Sequence, residues 1–304
     1  MALRVLPDRI DAVHVVPGMR PAVSQCESAQ IGPGGPVEAL RELRRALRLE
    51  RYRCTTLIEF PEYQLHYVEA PGVPDAELRQ ALRWSVKDLI DYPVEEAAVD
   101  VLRIPAGAEQ RARNVFVVTA RNQHVAGVAK LFEDANVRLD AVDVPELAQR
   151  NLAVLCEAPE RAAALLAFHS GSCWLTITGN TELLVVRRID IGLDRLLQAE
   201  ADQRSIYLDR IALELQRSFD NFDRQFGFIA LSRLLLASVP SECGLMETLQ
   251  ANLELPVGNF SLGEVMDLAR APKLADGSMQ AERLLAIGAA LRSEHADAAQ
   301  AQAA

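Results

Sequence analysis

Three features of the sequence predict an α/β chain built from two units of one plan. Short strand patterns separated by turn residues run strand, turn, strand, turn, strand, helix from about residue 3, and again from about residue 163. Residue identity between the copies is negligible, so the repeat is one of pattern. Between them lies a stretch of different texture, richer in proline breaks and charge. The second copy continues into a long amphipathic helix, which a small β-only fold would not contain.

In the first copy, Leu3 to Leu6 leads into the turn Pro7-Asp8-Arg9, and Ile10 to Val16 forms the next strand, with Ile10, Ala12, His14 and Val16 on one face. Pro17-Gly18 breaks it, and Pro21 to Cys26 is the third strand. The cluster Gly32-Pro33-Gly34-Gly35-Pro36 opens a helix to about Leu49, striped by Val37, Leu40, Leu43 and Leu47. No Gly-Lys-Ser/Thr follows that cluster, so it is read as a linker into a helix and not as a phosphate loop.

In the intervening stretch, Thr55 to Ile58 and Gln64 to Glu69 read as strands. Pro71 to Asp75 is a turn with Asp75 at the N-cap, and a helix runs from about Ala76 to Ile90. Its stripe is Leu78, Leu82, Val86, Leu89 and Ile90, and Asp91-Tyr92-Pro93 stops it, since proline disfavours helix in the residue before it. Ala97 to Ile104 is a strand, Pro105 to Arg113 a polar loop, and Asn114 to Ala120 a strand returning to the main core. A helix from about His124 to Ala135 and a strand from Leu139 to Val144 follow.

The second copy has strands at Ala163 to Phe168, Cys173 to Thr178 and Leu183 to Ile189, with Gly192 opening a helix. The unbroken apolar run of the first of these fits a strand buried on both faces. Ser205 to Phe226 is the long helix, with Leu208, Ile211, Leu215, Phe219, Phe222 and Phe226 recurring at helical spacing. Ile229 to Ala237 is a strand, Glu247 to Leu253 and Met279 to Arg292 are helices, and the Ala/Gln-rich tail from Ser293 is expected to fray.

Composition narrows the function classes. The 304 residues are 50% hydrophobic and 24% charged, enough to bury a substantial core. A net charge of −10 argues against broad binding to nucleic acid or anionic lipid. Five cysteines and five histidines are scattered without a Cys-x-x-Cys pair, which predicts a reduced, cytosolic chain with no structural metal. No secretory signal is visible. The stretch Ala162 to Thr181 lacks charge but carries His169, Ser170, Gly171, Ser172, Thr176, Thr178 and Asn180, so it is read as two strands and a turn, with no direct membrane insertion.

Two copies of three antiparallel strands plus a helix, with an insertion in the first, resemble the duplicated actin-like (ribonuclease-H-like) fold. Three segments resemble the type IV pilus assembly family PilM. They are Pro74-Asp75 through Arg83-Trp84 and on to Asp88-Leu89-Ile90-Asp91-Tyr92-Pro93-Val94-Glu95-Glu96; Arg187-Arg188-Ile189-Asp190-Ile191-Gly192-Leu193-Asp194; and Leu213-Glu214-Leu215-Gln216-Arg217-Ser218-Phe219. Ile287 to Arg292 fits the closing helix, and the Lys-Asp-Leu-Ile-Asp-Tyr-Pro spelling resembles the MshI branch, which serves mannose-sensitive haemagglutinin pili. The resemblance implies a first actin-like domain over 1–58 and 113–157, an inserted 1C-like subdomain over 59–112, a second actin-like domain with a reduced 2B region over 158–296, and a tail over 297–304.

Actin-like ATPases hold nucleotide on two hairpin turns, usually Asp-x-Gly, and on a Gly-Gly loop. Glycine lets backbone N–H groups approach phosphate, and aspartate organises hydrated Mg²⁺. Here the first turn is Pro7-Asp8, with no glycine and with a proline that offers no N–H; Asp8 is read as a turn residue rather than a metal ligand. The second is His169-Ser170-Gly171-Ser172, with imidazole where the carboxylate is expected, and the third is Ser238 to Gly244, without a Gly-Gly pair. The expectation is a pseudo-ATPase with no catalytic residue, no metal and no cofactor, against the alternative of a working ATPase using ATP with Mg²⁺. Adjacent His169-Ser170 lacks the elbow and third member of a nucleophilic triad. A sugar-kinase-like enzyme would need a base and a phosphate cradle, and neither can be assigned. The resemblance places Glu214 and Arg217 on the helix that approaches ribose in active relatives.

The family resemblance further implies a cytoplasmic adaptor, peripheral to the inner membrane through a PilN-like bitopic partner. That partner's N-terminal tail would bind in a groove between the first domain and the insertion. Trp84 lies off the apolar stripe of its helix and is, with Tyr92, a candidate aromatic anchor, or else packs on the inserted sheet. Asp88, Asp91, Glu95 and Glu96 add negative charge that could meet a basic tail, or form a solvated face.

Overall fold

The computed structural model describes residues 1–105, 113–169 and 171–292. In chain order the strands and helices are β1 (Ala2–Val5), β2 (Arg9–Val16), β3 (Ala22–Gln30), α1 (Gly35–Leu47), β4 (Cys54–Leu57), β5 (Tyr63–Glu69), α2 (Asp75–Ser85), β6 (Ala97–Arg103), β7 (Asn114–Arg121), α3 (Asn122–Asp134) and β8 (Leu139–Asp143). Then come α4 (Pro145–Val154), β9 (Arg161–His169), β10 (Ser172–Gly179), β11 (Glu182–Ile189), α5 (Leu193–Gln198), α6 (Ala201–Phe226), β12 (Ala230–Leu236), α7 (Leu245–Asn252), β13 (Val257–Asn259), α8 (Leu262–Val265) and α9 (Gly277–Ala290).

The strands form a five-stranded sheet β3-β2-β1-β4-β8, a five-stranded sheet β11-β10-β9-β12-β13 and a three-stranded sheet β5-β7-β6. The two larger sheets share one order. In the first, β4 lies parallel to both β1 and β8. In the second, β9, β10 and β11 are antiparallel, and β12 lies parallel to β9 and β13. The repeated pattern in the sequence is thus a repeated topology, the duplicated actin-like arrangement. Contacts divide the chain into two compact units, one of residues 1–12 and 27–145, the other of residues 13–26 and 146–304.

In the first unit the core joins Leu3, Ile10, Leu40, Leu43, Leu49 and Phe132, so that α1, by the apolar stripe read from its sequence, and α3, by Phe132, cover the main sheet. The small sheet has its own core, where Leu78, Leu82 and Val86 pack on Val115 and Val117. β7, expected to return to the main sheet, is instead the central strand of the small one, pairing antiparallel with β5 and β6 along its length. Its apolar run Val115 to Val118 is explained by that central place, where two neighbours and α2 bury it. The small sheet therefore extends to Arg121, past the expected boundary at 112.

α2 ends at Ser85 and not at Ile90, and Asp75 is its first residue, Pro74 standing at the N-cap. Val86 is the last side chain the small sheet can bury; beyond it Leu89 is half exposed, so no packing holds a further turn in helical form. The polar loop of residues 105–113 and the tail from 293 fall largely or wholly outside the described residues.

In the second unit, the long helix α6 buries Leu208, Ile211, Leu215, Phe222 and Phe226 as its spacing predicts, while Phe219, read into the same stripe, is only half-buried. Three elements were not expected: α4, β13 and the short helix α8. α4 carries the buried polar residues Gln149 and Asn151, and Asn151 donates to the Gly288 carbonyl of α9 at 2.9 Å. β13 is a three-residue edge strand beside β12. Cys54, Cys156, Cys173 and Cys243 are buried free thiols. Burial lifts the Cys156 and Cys173 thiols to about 12, so they pack as small hydrophobes.

The α4–α9 contact is made backbone to backbone. A Cβ on Gly288 would lie 2.0 Å from the Ala148 carbonyl oxygen, a distance only separation of the helices can relieve. Gly288→Ala is expected to destabilise the chain by about 2–4 kcal/mol in urea unfolding. Gly263→Ala, whose new methyl meets nothing closer than 3.8 Å, should cost less than about 1 kcal/mol.

Candidate functional site

The loops expected to grip a nucleotide are occupied by their own polar groups. At the β1–β2 turn, Leu6 N–H donates to the Arg9 carbonyl at 2.8 Å, and the Asp8 carbonyl accepts from Ile31 N–H at 2.7 Å. The Asp8 carboxylate lies 3.7 Å from Arg9 Nη1 and is largely exposed. Arg9 Nε also meets Asp11, a fully buried carboxylate that accepts from Ser28 Oγ at 3.0 Å. Arg4, buried near the end of β1, makes a two-pronged pair with Glu59 at 2.7 and 3.0 Å. Neither Asp11 nor the Arg4–Glu59 pair stood out in the sequence, since each joins residues without a motif.

At the β9–β10 turn, Gly171 takes φ +81°, the left-handed region that favours glycine. Ser170 lies outside the described residues. His169 Nε2 is 2.8 Å from Gln149 Oε1. The amide nitrogen of Gln149 already donates to the Leu165 and Trp174 carbonyls at 3.0 and 2.9 Å, so its oxygen must accept and His169 carries the proton on Nε2. The imidazole stands edge-on to Trp174, centroids 5.3 Å apart, and Trp174 Nε1 donates to Ser172 Oγ at 2.7 Å. Gly192 closes on this turn: a Cβ there would lie 2.7 Å from Gly171 Cα. In the third loop Gly244 takes φ +73° as the N-cap of α7.

Glu214 on α6 accepts from Arg187 Nε and Nη2 at 3.1 and 2.5 Å, and from Arg217 at 3.1 Å. Both partners suggested by the resemblance are thereby drawn into one clamp between α6 and β11. The Arg187 hydrogen bonds hold the Glu214 carboxyl below its ordinary range. Among the described residues no group of three His, Cys, Asp or Glu could hold a metal ion.

A concave site lies on the small sheet. Ala76, Arg79, Gln80 and Arg83 recur at helical spacing on the side of α2 away from Leu78 and Leu82. With Trp84, and with Val94, Glu95 and Val99 leading into and along β6, they line a groove of about 550 Å³. Trp84 is 58% exposed, so its indole is presented and not spent on the sheet core. Arg83 is pinned by main-chain acceptors, Nε and Nη2 to the Val94 carbonyl at 3.1 and 2.8 Å, and Nη2 to the Glu95 carbonyl at 3.0 Å. Arg79 pairs with Asp100 at 2.7 Å.

The sequence candidates divide here. Trp84 and Glu95 share the groove. Tyr92 lies under the Arg121 guanidinium, 4.3 Å from ring centroid to Cζ, and Asp91 and Glu96 flank that cation at 3.7 and 3.9 Å. Asp88 is exposed beyond the end of α2. Sequence reading missed the arginines: Arg79 and Arg83, four apart on one helix face beside Trp84, were the available signal.

Among known proteins, no family model and no curated sequence matches this chain. Solved structures do. A chain of the "PilM-PilN type IV pilus biogenesis complex" superposes with a TM-score of 0.73 at 21% identity, covering 95% of this chain and 97% of that one. The cytoplasmic domain of EpsL, an inner-membrane component of the Vibrio cholerae type II secretion system, follows at TM-score 0.48 and 16% identity, covering 95% and 93%. A Bacteroides thetaiotaomicron protein of actin-like ATPase fold follows at TM-score 0.45 and 8% identity, covering 90% and 95%. The likeness to the PilM-PilN structure is one of fold, and the fold of this chain is the actin-like fold in its PilM-like form. No helix among the described residues is long and apolar enough to cross a membrane.

The Glu214 clamp predicts a pH dependence. Because the folded carboxyl titrates below its unfolded value, its stabilisation is complete above the unfolded value and is lost as pH falls through the folded one. Arg187→Gln should lower the urea midpoint near neutral pH, and the gap to the native chain should close as the solution is acidified through the carboxylate range.

Proposed function

We propose that this chain is a non-catalytic adaptor of a type IV pilus inner-membrane assembly platform, of the MshI branch, that binds the cytoplasmic tail of a PilN-like bitopic membrane protein. The observation that carries the reading is an exposed tryptophan in a groove of the inserted sheet, within a fold like that of a chain from a PilM-PilN complex. Large exposed aromatics in concave sites are the residues on which interfaces concentrate their binding energy.

The chemistry of the loops supports the non-catalytic half of the proposal. Pro7 offers no N–H to phosphate, Asp8 sits beside Arg9, and the His169 imidazole is engaged by Gln149. Neutral imidazole is a poor ligand for Mg²⁺, which prefers hard oxygen donors. This donor set does not fit a magnesium-bound triphosphate, and no step is assigned to one. Recruitment through such a partner would hold the chain at the cytoplasmic side of the membrane.

Calorimetric titration with the N-terminal tail peptide of a PilN-like protein tests the adaptor. Saturable binding is expected, with Trp84→Ala weakening it by ~30-fold or more, as for an interface hot spot of about 2 kcal/mol. ATP with Mg²⁺ is expected to leave the melting temperature unchanged. A clear upward shift would mean that the folded state binds nucleotide, and the working actin-like ATPase would replace this reading.

A further inference from the structure

We infer that the α2–β6 groove captures an extended segment of a partner chain as an added strand on β6, with alternating apolar and acidic side chains. The inference shares with the proposed function the premise that the groove is a docking site; which protein supplies the segment does not enter it.

Strand addition follows from the sheet. In the order β5-β7-β6, β6 is an edge strand, and among the described residues its outer row of main-chain groups has no neighbouring strand. Val101 N–H is covered by the carboxylate of Asp100 at 3.0 Å, and that carboxylate is held by Arg79 at 2.7 Å. An N–H so covered lies on the strand's outer side. In an antiparallel ladder main-chain groups two residues apart share a side, so those of Val99 face outward too. Val99 lines the groove. The Asp100–Arg79 pair thus caps the edge on one side of Val99 and leaves the part that borders the groove open to an incoming strand.

The chemistry of the occupant follows from the side chains. Trp84, Ala76 and Val99 supply apolar surface for alternate residues of such a strand. Of the groove's charges, Arg79 is already neutralised by Asp100. Arg83 is half-buried and fixed by three hydrogen bonds to neutral carbonyls, with no carboxylate within 4.0 Å among the described residues. Its charge is therefore uncompensated, and with Nε and Nη2 held by those carbonyls, Nη1 is left to donate a charge-assisted hydrogen bond to an incoming carboxylate. Glu95 also lines the groove, but it is solvent-exposed, so water and salt screen it. The site selects an acid over a base.

The tryptophans supply the test. Of two in the chain, Trp174 is 4% exposed and Trp84 58%, so acrylamide quenching of the full chain reports on Trp84. The probe is a blocked five-residue peptide alternating leucine and glutamate. It should protect Trp84 from acrylamide saturably. The same peptide with lysine for glutamate, and one with alternate amides N-methylated, should each bind ~10-fold more weakly or worse. Arg83→Gln should remove the preference for glutamate over lysine. Asp100→Ala, which uncovers Val101 N–H without touching the Arg83 contacts, should tighten binding of the glutamate peptide. Absence of saturable protection, equal affinity for the lysine peptide, or indifference to N-methylation would overturn the inference. Tail-peptide titration decides the adaptor separately: a PilN-like tail that binds through Trp84 but is insensitive to N-methylation would overturn the strand mode and leave the adaptor standing.

Discussion

A helix laid on a three-stranded sheet can bury only one of its faces. In α2 that face is Leu78, Leu82 and Val86, and it is fully used against Val115 and Val117. Everything distinctive about the small sheet follows from this constraint. The opposite face, Ala76, Arg79, Gln80 and Arg83, is turned away from the core, and it meets the outer edge of β6 rather than another layer. Among the described residues nothing fills that seam, so a groove results, and the helical angle of Trp84 places its indole there.

The larger sheets follow a different economy. Their central strands, such as β4 and β10, are buried on both faces, so polar groups inside them must be satisfied from within the fold. Gln149 does this for the β9–β10 region, giving its amide hydrogens to the Leu165 and Trp174 carbonyls and its oxygen to His169. A histidine at that turn consequently completes a buried hydrogen-bond network, where a carboxylate would place a charge against an acceptor oxygen. The same principle ties Arg4 to Glu59 and Arg9 to Asp11. At the β1–β2 and β9–β10 turns, Leu6 N–H, the Asp8 carbonyl and the His169 imidazole are all bonded within the protein.

Much of this was legible in the residues. Strand, turn and helix signals of both copies gave the strand order's raw material, and the aromatic spacing of α6 identified its buried face without ambiguity. α4 was invisible because its inward face is partly polar: Gln149 and Asn151 are buried through hydrogen bonds, which hydrophobic periodicity does not register. β7 was visible as a strand but misassigned to a sheet, since a central strand of either sheet has the same apolar composition. Trp84 was found because it breaks a pattern, whereas Arg79 and Arg83 were passed over because exposed arginines on a helix are ordinary.

Local sequence thus determined most of the elements, the duplicated plan and the residues at the turns, since these depend on backbone geometry and side-chain chemistry within a few positions. Only tertiary structure decided that Tyr92, Asp91 and Glu96 gather at Arg121, and that, among the described residues, β6 stands at a sheet edge and Arg83 has no carboxylate partner. The reason is physical: pairing between strands and between charges depends on residues far apart in the chain, and its outcome is set by what each side chain finds within reach once the cores have closed.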